Sequence, residues 1–474
     1  MTPKLQSIAL YLGPLVATFV LTLMYLNGFA WPATITAAIT TLCAIWWIFE
    51  PIPIPATSLI PIAVFPFAGV LTGAQVASAY GHWLILLLLG GFILSTALEK
   101  SGTHKRLALG MITLIGGNSE RRLILGFMIA SAGLSMWISN TATTLMLLPV
   151  AIAIIQAAEN HYQDPKRLVT FSTALILGLG YAASVGGMGT PIGTPPNTLF
   201  MNVYAESMGK DLGFTDWMQW AIPVVILMIP VIWLWLTRNL DKQTDKSFAL
   251  PQLGAWHTEE KRTLAVFVVT ACLWIFRKEP FGGWSGALGL NTANDASIAL
   301  LAVIAMFIIP NGKVENNKTG RLLDWQSANK IPWGVLLLFA GGITIAKAFT
   351  STGLSTALGG SLAFLSQLPT LVTIVMICLI VTFLTELTSN TATTALLMPV
   401  LAAAGQAANI DPALFMVPAA ISASCAFMLP VATGPNAVIF SSERLTVEQM
   451  VRNGFVLNLL GVLAISSVIY FLIA

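Results

Sequence analysis

The sequence contains few charged residues: Asp, Glu, Lys and Arg together make up 9% of its 474 positions, against roughly 25% in typical soluble domains. A soluble protein of this length could not cover its surface with so few charges. This scarcity excludes an ordinary soluble enzyme, a nucleic-acid binder and a disordered chain. Because 56% of the residues are apolar and the mean hydropathy is +0.81, the composition indicates a polytopic membrane protein.

Residues that form disulfides or bind metals are also scarce. The four cysteines, Cys43, Cys272, Cys378 and Cys425, lie in apolar stretches without CxxC spacing. Buried apolar side chains explain them better than disulfides or zinc ligands. The four histidines show no HExxH or other metal-ligand spacing, and the formal net charge of +3 is too small to indicate a charged partner.

Apolar stretches long enough to span a membrane recur along the chain. A spanning helix needs about 20 apolar residues for a hydrocarbon core of roughly 30 Å. The simple candidates are 8–26, 33–49, 54–71, 83–100, 218–237, 262–278, 296–310, 333–349 and 451–473. Three longer stretches, 122–158, 168–206 and 370–440, are interrupted by polar or proline-containing segments.

The first long stretch has a polar centre. The uncharged segment from Leu123 to Ala158 contains Ser139-Asn140-Thr141-Ala142-Thr143-Thr144 near its middle. The apolar arms on either side have about 15 residues each, or roughly 22 Å as helix, which is too short to span a bilayer. One very long helix and a re-entrant hairpin both fit this pattern. Small polar side chains compete for backbone hydrogen bonds and favour the hairpin, which must then lie inside protein or beside water.

The second half of the chain repeats this pattern 250 positions later, with Ser389-Asn390-Thr391-Ala392-Thr393-Thr394. Flanking residues match as well: Pro149 with Pro399, Gln156 with Gln406, and Trp83 with Trp333. A helix broken at a loop then follows in each half, at Gly193-Thr194-Pro195-Pro196-Asn197 and at Ala432-Thr433-Gly434-Pro435-Asn436. Such internal repeats are typical of secondary transporters.

The distribution of Lys and Arg predicts the orientation in the membrane. All but four of the 23 basic residues lie at the N-terminus or in 100–122, 159–167, 238–262, 311–330 and 441–452. The positive-inside rule places that side in the cytoplasm. In the cell (inner or plasma) membrane, the N-terminus is therefore expected in the cytoplasm and the C-terminus on the outer side. The two hairpins then enter from opposite sides, and the repeats are inverted.

A hairpin tip brings the C-terminal end of one helix and the N-terminal end of another to one point. The free N–H groups suit a carboxylate, whereas the free carbonyls suit a hard cation such as sodium. An Asn at the tip can bridge both ligands, because its carbonyl faces a cation and its amide an anion. Pro195, Pro196 and Pro435 break their helices and free nearby carbonyls. Two tips meeting at the midplane would form one anion site with two cation pockets.

The paired signatures resemble those of the divalent anion:sodium symporter family, and the likeness covers nearly the whole chain. Ser139-Asn140-Thr141 and Ser389-Asn390-Thr391 carry it, supported by Gly193-Thr194-Pro195, Ala432-Thr433 and Glu50-Pro51-Ile52-Pro53. The resemblance implies an all-α polytopic membrane fold of inverted repeats, with about 11 transmembrane helices, two re-entrant hairpins and broken helices. It also implies a homodimer in which a transport domain moves as an elevator against a scaffold.

Under this resemblance the chain divides into four regions. Scaffold helices are expected in 1–121 and 241–355, and transport regions in 122–240 and 356–474. The hairpins are expected at 122–158 and 370–408, and the broken helices at 168–206 and 412–440.

The resemblance also implies at least two sodium ions and a divalent anion. The first sodium would be bound by Ser135, Ser139, Asn140 and Gly193. The second would be bound by Thr385, Ser389, Asn390 and Ala432. The anion would contact Asn140, Thr141, Thr194, Pro195, Asn390, Thr391, Thr433 and Gly434.

The expected function is sodium-coupled import of C4-dicarboxylates such as succinate, malate or fumarate, with sodium, the anion and the lipid bilayer as partners and no nucleic acid. Neither signature contains Arg or Lys, so bound cations must offset the charge of a dianion in a low-dielectric site.

The second loop reads Thr433-Gly434-Pro435, where Thr-Pro-Pro is expected in bacterial C4-dicarboxylate carriers. Citrate or sulfate symport and dicarboxylate exchange are the alternatives. An intramembrane enzyme and an ion channel are disfavoured, because catalytic motifs are missing and broken repeats favour a carrier.

A few residues inside the apolar stretches need separate interpretation. Glu386 is the sole acid of the second hairpin, where the first has Met136. It could tune the second sodium site, relay a proton, or be fixed by local hydrogen bonds. Lys347 is expected to snorkel or to pair rather than to bind substrate. Most tryptophans are expected at the membrane interfaces, as at Trp31, Trp83 and Trp217.

Overall fold

The computed structural model describes residues 3–116, 119–159, 165–240, 254–278, 283–290, 292–315, 318–357 and 368–473. In the first half the helices are α1 Pro3–Leu26, α2 Trp31–Phe49, α3 Ile54–Phe67, α4 Gly73–Tyr80, α5 Trp83–Ser101, α6 Thr103–Gly116, α7 Glu120–Ser135, α8 Asn140–Glu159, α9 Pro165–Gly187, α10 Pro195–Met208 and α11 Phe214–Thr237. In the second half they are α12 Thr258–Ile275, α13 Gly283–Ala287, α14 Asp295–Ile308, α15 Trp325–Ala328, α16 Trp333–Ser351, α17 Thr370–Thr385, α18 Asn390–Ala407, α19 Ala413–Ser422, α20 Gly434–Phe440 and α21 Val447–Ile473. Strands β1 Pro310–Glu315 and β2 Lys318–Arg321 form an antiparallel ribbon.

Apolar helices dominate the described residues, and the predicted all-α polytopic membrane fold is confirmed. Eight segments are long and apolar enough to cross a membrane: α1, α2, α4 with α5, α8, α9, α11, α16 and α21. Four shorter helices, α3, α14, α17 and α19, are also apolar. The span expected at 54–71 ends at Phe67, because Gly69 takes a left-handed conformation with φ 69° that terminates the helix.

The first hairpin region consists of two helices separated by a four-residue break. Helix α7 ends at Ser135 and α8 begins at Asn140, so the polar signature forms the first turn of α8 rather than a loop. The expectation that both arms are too short to span is wrong for the second arm. Helix α8 has 20 residues and qualifies as a membrane span by length and composition, because the Asn and Thr side chains begin this helix instead of interrupting it.

The second hairpin region has the same form. Helix α17 ends at Thr385 and α18 begins at Asn390, again with four residues between them. Helices α7 and α17 both have 16 residues. Thr144 and Thr394 each donate a hydrogen bond to the carbonyl of the Asn four residues before, at 2.8 and 2.7 Å. The duplicated sequence therefore forms duplicated local structure.

The second part of each broken helix packs against the hairpin of the other half of the chain. Helix α20 lies against α8 and α9, while α10 lies against α18 and α19. The buried C-terminal end of α9 reaches across as well: the Tyr181 hydroxyl donates to the Phe427 carbonyl at 2.6 Å. A methyl group on Gly180 would lie 2.7 Å from the Ile439 side chain, so only glycine permits this approach. This exchange brings both hairpin tips to one region.

Several elements are outside the predicted pattern. Helix α6 packs along α7 and carries Arg106, which pairs with Glu260 at 2.9 Å. The ribbon β1–β2 follows α14.

Trp217 does not lie at a membrane interface: its side chain is fully buried and its indole N–H donates to the Met188 carbonyl at 2.7 Å. The apolar sequence around Trp217 could not distinguish burial in protein from contact with lipid.

Candidate functional site

A cavity of about 800 Å³ lies where the two hairpin tips and the two broken-helix loops meet. The first half contributes 139–142 and 192–195, and the second half contributes 387–391 and 431–435. The ends of α2 and α5 and the residues before α16 form its other walls. The duplicated signatures, far apart in sequence, thus line one space.

The first cluster of oxygen atoms lies at the tip of the first hairpin. The Ser135 hydroxyl is 2.5 Å from Oδ1 of Asn140 and 2.6 Å from the carbonyl oxygen of Ala183. Ser135 is fully buried. A hydroxyl has one hydrogen and can donate to only one of these two acceptors. The other close contact brings lone pairs together, an arrangement that a cation among the oxygens would relieve.

The second cluster reproduces the first with a threonine in place of the serine. The Thr385 hydroxyl is 2.7 Å from Oδ1 of Asn390 and 3.1 Å from the carbonyl oxygen of Ala423. Thr385 is also fully buried. Again one hydroxyl hydrogen faces two acceptors. Each half of the chain therefore places a hydroxyl, an amide carbonyl and a backbone carbonyl together.

The other expected sodium ligands lie close to these clusters or line the cavity. A methyl group on Gly187 would be 2.4 Å from Asn140 Oδ1, and one on Gly193 would be 2.4 Å from the Gly187 carbonyl oxygen. The Gly193 loop therefore lies directly behind the first cluster. Ser139, Ser389 and Ala432 line the cavity.

Sequence reasoning missed two backbone carbonyls, and it named Asn197 and Asn436 as loop residues without a role. The carbonyls of Ala183 and Ala423 complete the clusters, and the only sequence signal for them is that a serine follows each alanine. Asn197 donates its amide to the carbonyls of Gly187 at 2.9 Å and Thr190 at 2.7 Å. These bonds hold open the loop that approaches Asn140.

Asn436 has the corresponding position in the second half. Its amide donates to the carbonyls of Ala426 and Leu429, both at 2.9 Å. Asn197 and Asn436 are both fully buried. Because each asparagine satisfies carbonyls left free where its helix is broken, the two are structural braces of the loops.

All eight residues expected to contact the anion line the cavity: Asn140, Thr141, Thr194, Pro195, Asn390, Thr391, Thr433 and Gly434. The Thr433 hydroxyl caps α20 by accepting from the Asn436 N–H at 3.1 Å. Thr194 makes no such cap at the start of α10. The two loops therefore differ in whether the threonine hydroxyl caps the helix that follows.

The charged groups that line the cavity are Glu50, Glu99 and Lys330. All three come from the helix ends that form its outer walls, not from the hairpin tips or the broken-helix loops. Among the described residues, no group of three or more His, Cys, Asp or Glu side chains could hold a metal ion. The tips and loops that are expected to contact the anion therefore present only uncharged oxygens and N–H groups.

Glu386 is buried beside the second tip and fully bonded. Its Oε1 accepts from the Met428 N–H at 2.8 Å and the Asn458 amide at 2.7 Å, and its Oε2 accepts from the Leu429 N–H at 3.0 Å. This geometry supports local bracing, the third of the roles considered above. In the first half the hydroxyl of Thr190 bonds to the carbonyl of Met136 instead.

Lys347 contacts polar groups of neighbouring helices. Its ammonium lies 3.0 Å from the Ser78 hydroxyl and 4.0 Å from a carboxylate oxygen of Glu206. Lys347 is not among the residues that line the cavity. The expectation that it pairs agrees with these contacts.

A multi-pass helical membrane protein with duplicated broken helices around a central cavity has the build of a secondary transporter. The family model described as "Sodium:sulfate symporter transmembrane region" matches residues 6–472. The chain belongs to this family, so the resemblance to the divalent anion:sodium symporters is confirmed. The protein is a transporter and not an enzyme.

The chain is similar over nearly its full length to transporters from Staphylococcus aureus. It is 39% identical over 482 residues to the "Sodium-dependent dicarboxylate transporter SdcS" of strain MRSA252, covering 98% of this chain and 91% of the relative. The SdcS of strain NCTC 8325 / PS 47 is 39% identical over 481 residues, with the same coverage. Among solved structures, the chain resembles the Alcanivorax borkumensis YdaH transporter with a TM-score of 0.59 and 14% identity, covering 86% and 88% of the two chains. At that identity the likeness concerns the fold alone.

Proposed function

We propose that this protein imports C4-dicarboxylates such as succinate, malate or fumarate together with sodium ions. The observation that carries the proposal is the pair of matched oxygen clusters at Asn140 and Asn390, each with more acceptors than donated hydrogens. The relatives named as sodium-dependent dicarboxylate transporters support the choice of ion and anion.

Each cluster would bind one sodium ion, so at least two ions accompany each anion. The first ion would be held by Ser135, Ser139, Asn140 and Gly193, with the carbonyl of Ala183 added. The second would be held by Thr385, Ser389, Asn390 and Ala432, with the carbonyl of Ala423 added. Hydroxyl, amide and backbone oxygens are ligands that suit a hard cation.

Coupling between sodium and the anion follows from charge. A dianion in a low-dielectric cavity is costly unless it is neutralised, and the tips and loops contain no Lys or Arg. Two sodium ions would offset the two negative charges and order the tips that supply Thr141 and Thr391. Bound sodium therefore raises the affinity for the anion, and the bound anion raises the affinity for sodium. An inward sodium gradient then drives uptake.

The movement and assembly belong to the same proposal. The two hairpins and broken helices would move as a transport domain against the remaining helices, in an elevator mechanism within a homodimer. With the N-terminus in the cytoplasm, Glu50 and Lys330 at the cavity wall belong to the cytoplasmic ends of their helices. The cavity in this structure would then open to the inside.

The test is uptake of labelled succinate into proteoliposomes with and without a sodium gradient. We expect saturable uptake that needs external sodium and is lost in Asn140→Ala and Asn390→Ala, while both variants remain inserted in the membrane. Uptake that ignores sodium but needs internal dicarboxylate would indicate exchange instead. Competition by citrate or sulfate stronger than that by dicarboxylates would replace the substrate. Normal transport by both variants would contradict the proposed ion sites.

A further inference from the structure

The two broken-helix loops differ at one position inside the cavity. The first loop runs Thr194-Pro195, whereas the second runs Thr433-Gly434. Pro195 has no backbone N–H, but Gly434 has one. The N–H of Gly434 makes no hydrogen bond within the described part of the chain, and Gly434 is exposed to the cavity.

The space that a side chain at position 434 would occupy is filled by a residue from the other half of the chain. A methyl group on Gly434 would lie 2.0 Å from the hydroxyl oxygen of Thr141 and 3.2 Å from its Cβ. A proline ring at this position, as at Pro195, would collide with Thr141 where it now stands. Gly434 is therefore what permits the first signature to touch the second loop.

The Thr141 hydroxyl is also available to hydrogen-bond with a ligand in the cavity. It lines the cavity, and no hydrogen bond connects it to any residue that the structure describes. One edge of the cavity thus carries a free N–H donor beside a free hydroxyl, which can both donate and accept. Neither group is charged.

We infer that Gly434 and Thr141 form a subsite for a hydroxyl group on the carbon chain of the substrate, so that the carrier prefers a 2-hydroxy-dicarboxylate such as malate over succinate. The inference rests on the proposed function and specifies its substrate class. A substrate hydroxyl accepts from the Gly434 N–H and donates to the Thr141 oxygen. An additional carboxylate fits this edge poorly, because two sodium ions would offset only two negative charges and the third would remain unbalanced in the cavity.

The size of the preference follows from the number of hydrogen bonds. A substrate without the hydroxyl leaves the N–H and the Thr141 hydroxyl without that partner in a desolvated site. One net hydrogen bond corresponds to about fivefold in affinity, so two such bonds together correspond to about thirtyfold. The preference should appear in binding itself, before any step of translocation.

The test measures sodium-dependent binding of labelled succinate to the purified full-length protein and its displacement by L-malate, succinate and citrate. We expect L-malate to bind about thirtyfold more tightly than succinate in the wild type. In Gly434→Pro, which removes the N–H and displaces Thr141, the two affinities should become nearly equal. Thr141→Val keeps the shape of the side chain without its hydroxyl and should reduce the ratio by about fivefold. This second variant tests the subsite if Gly434→Pro fails to fold.

The matched control is Thr391→Val in the second signature, which should weaken both anions together and leave their ratio unchanged. Equal affinities in the wild type, an unchanged ratio in Thr141→Val, or an equal loss of ratio in Thr391→Val would overturn the inference. Citrate binding more tightly than malate would also overturn it, in favour of a carboxylate subsite. If neither dicarboxylate binds in sodium, the proposed function itself fails; if both bind equally, only the hydroxyl subsite fails.

Discussion

Replacing Glu386 with glutamine tests whether the second oxygen cluster depends on a loop that Glu386 braces. The carboxylate accepts three hydrogen bonds, two of them from the N–H groups of Met428 and Leu429. Glutamine presents one oxygen and one NH₂ group, so at least one N–H donor would face another donor. A hydrogen bond to a charged group contributes roughly 1.5–3 kcal/mol. We therefore expect Glu386→Gln to destabilise the loop by about 2 kcal/mol.

This cost should appear in the response to sodium. The braced loop leads to Ala432 and to the carbonyls that Asn436 binds, so sodium would have to restore its order on binding. About 2 kcal/mol corresponds to about thirtyfold in affinity. Thermal unfolding of the purified protein over a sodium titration measures this shift. Glu448→Gln on the exposed first turn of α21 is a control for removal of a carboxylate and should leave the titration unchanged.

Two results would refute this reasoning about Glu386. The first is an unchanged melting temperature together with an unchanged sodium midpoint in Glu386→Gln. The second is a variant that keeps its sodium dependence but loses a pH dependence of uptake, since that outcome would assign Glu386 to proton transfer.

Two further predictions test other contacts. Gly187→Ala should cut sodium-dependent uptake at least tenfold, because its methyl group would lie 2.4 Å from Asn140 Oδ1, whereas Gly110→Ala, in open space, should transport normally; equal uptake by both would contradict the first cluster. The hydrogen bond from Lys100 lowers the pKa of Asp324 to about 2, so this pair stabilises the fold above about pH 4 and loses its effect as the pH falls towards 2. Since both side chains are partly exposed, Asp324→Asn should cost about 1 kcal/mol or less at pH 6, and this cost should shrink as the pH falls through about 2, as measured by unfolding in detergent.

The repeated signatures could be found from sequence because they depend on residue type and spacing. Asn140 and Asn390 each lie five residues after a hydroxyl residue, Ser135 and Thr385, and the structure joins each pair at 2.5 and 2.7 Å. A five-residue separation across a short break is a local relation. The signatures themselves follow from residue type and spacing, whereas Ser135 and Thr385 enter the expected ligand sets through the family resemblance alone.

Other parts of the site depend on tertiary structure and could not be predicted. The carbonyl of Ala183 is a ligand candidate because α9 passes behind the tip at that residue, and every residue has a carbonyl. The approach of Gly434 to Thr141 depends on the packing of α20 against α8, which no spacing indicates. The full length of α8 is not evident from the sequence, because Asn and Thr at the start of a helix resemble residues that interrupt one.

The exchanged packing of α10 and α20 has a consequence for how the halves depend on each other. Each half of the chain forms its oxygen cluster from its own residues, yet one helix that packs against its hairpin comes from the other half. A shift of one half relative to the other would therefore change the packing around both hairpins at once. This reciprocal packing favours rearrangement of the two hairpins as a single event.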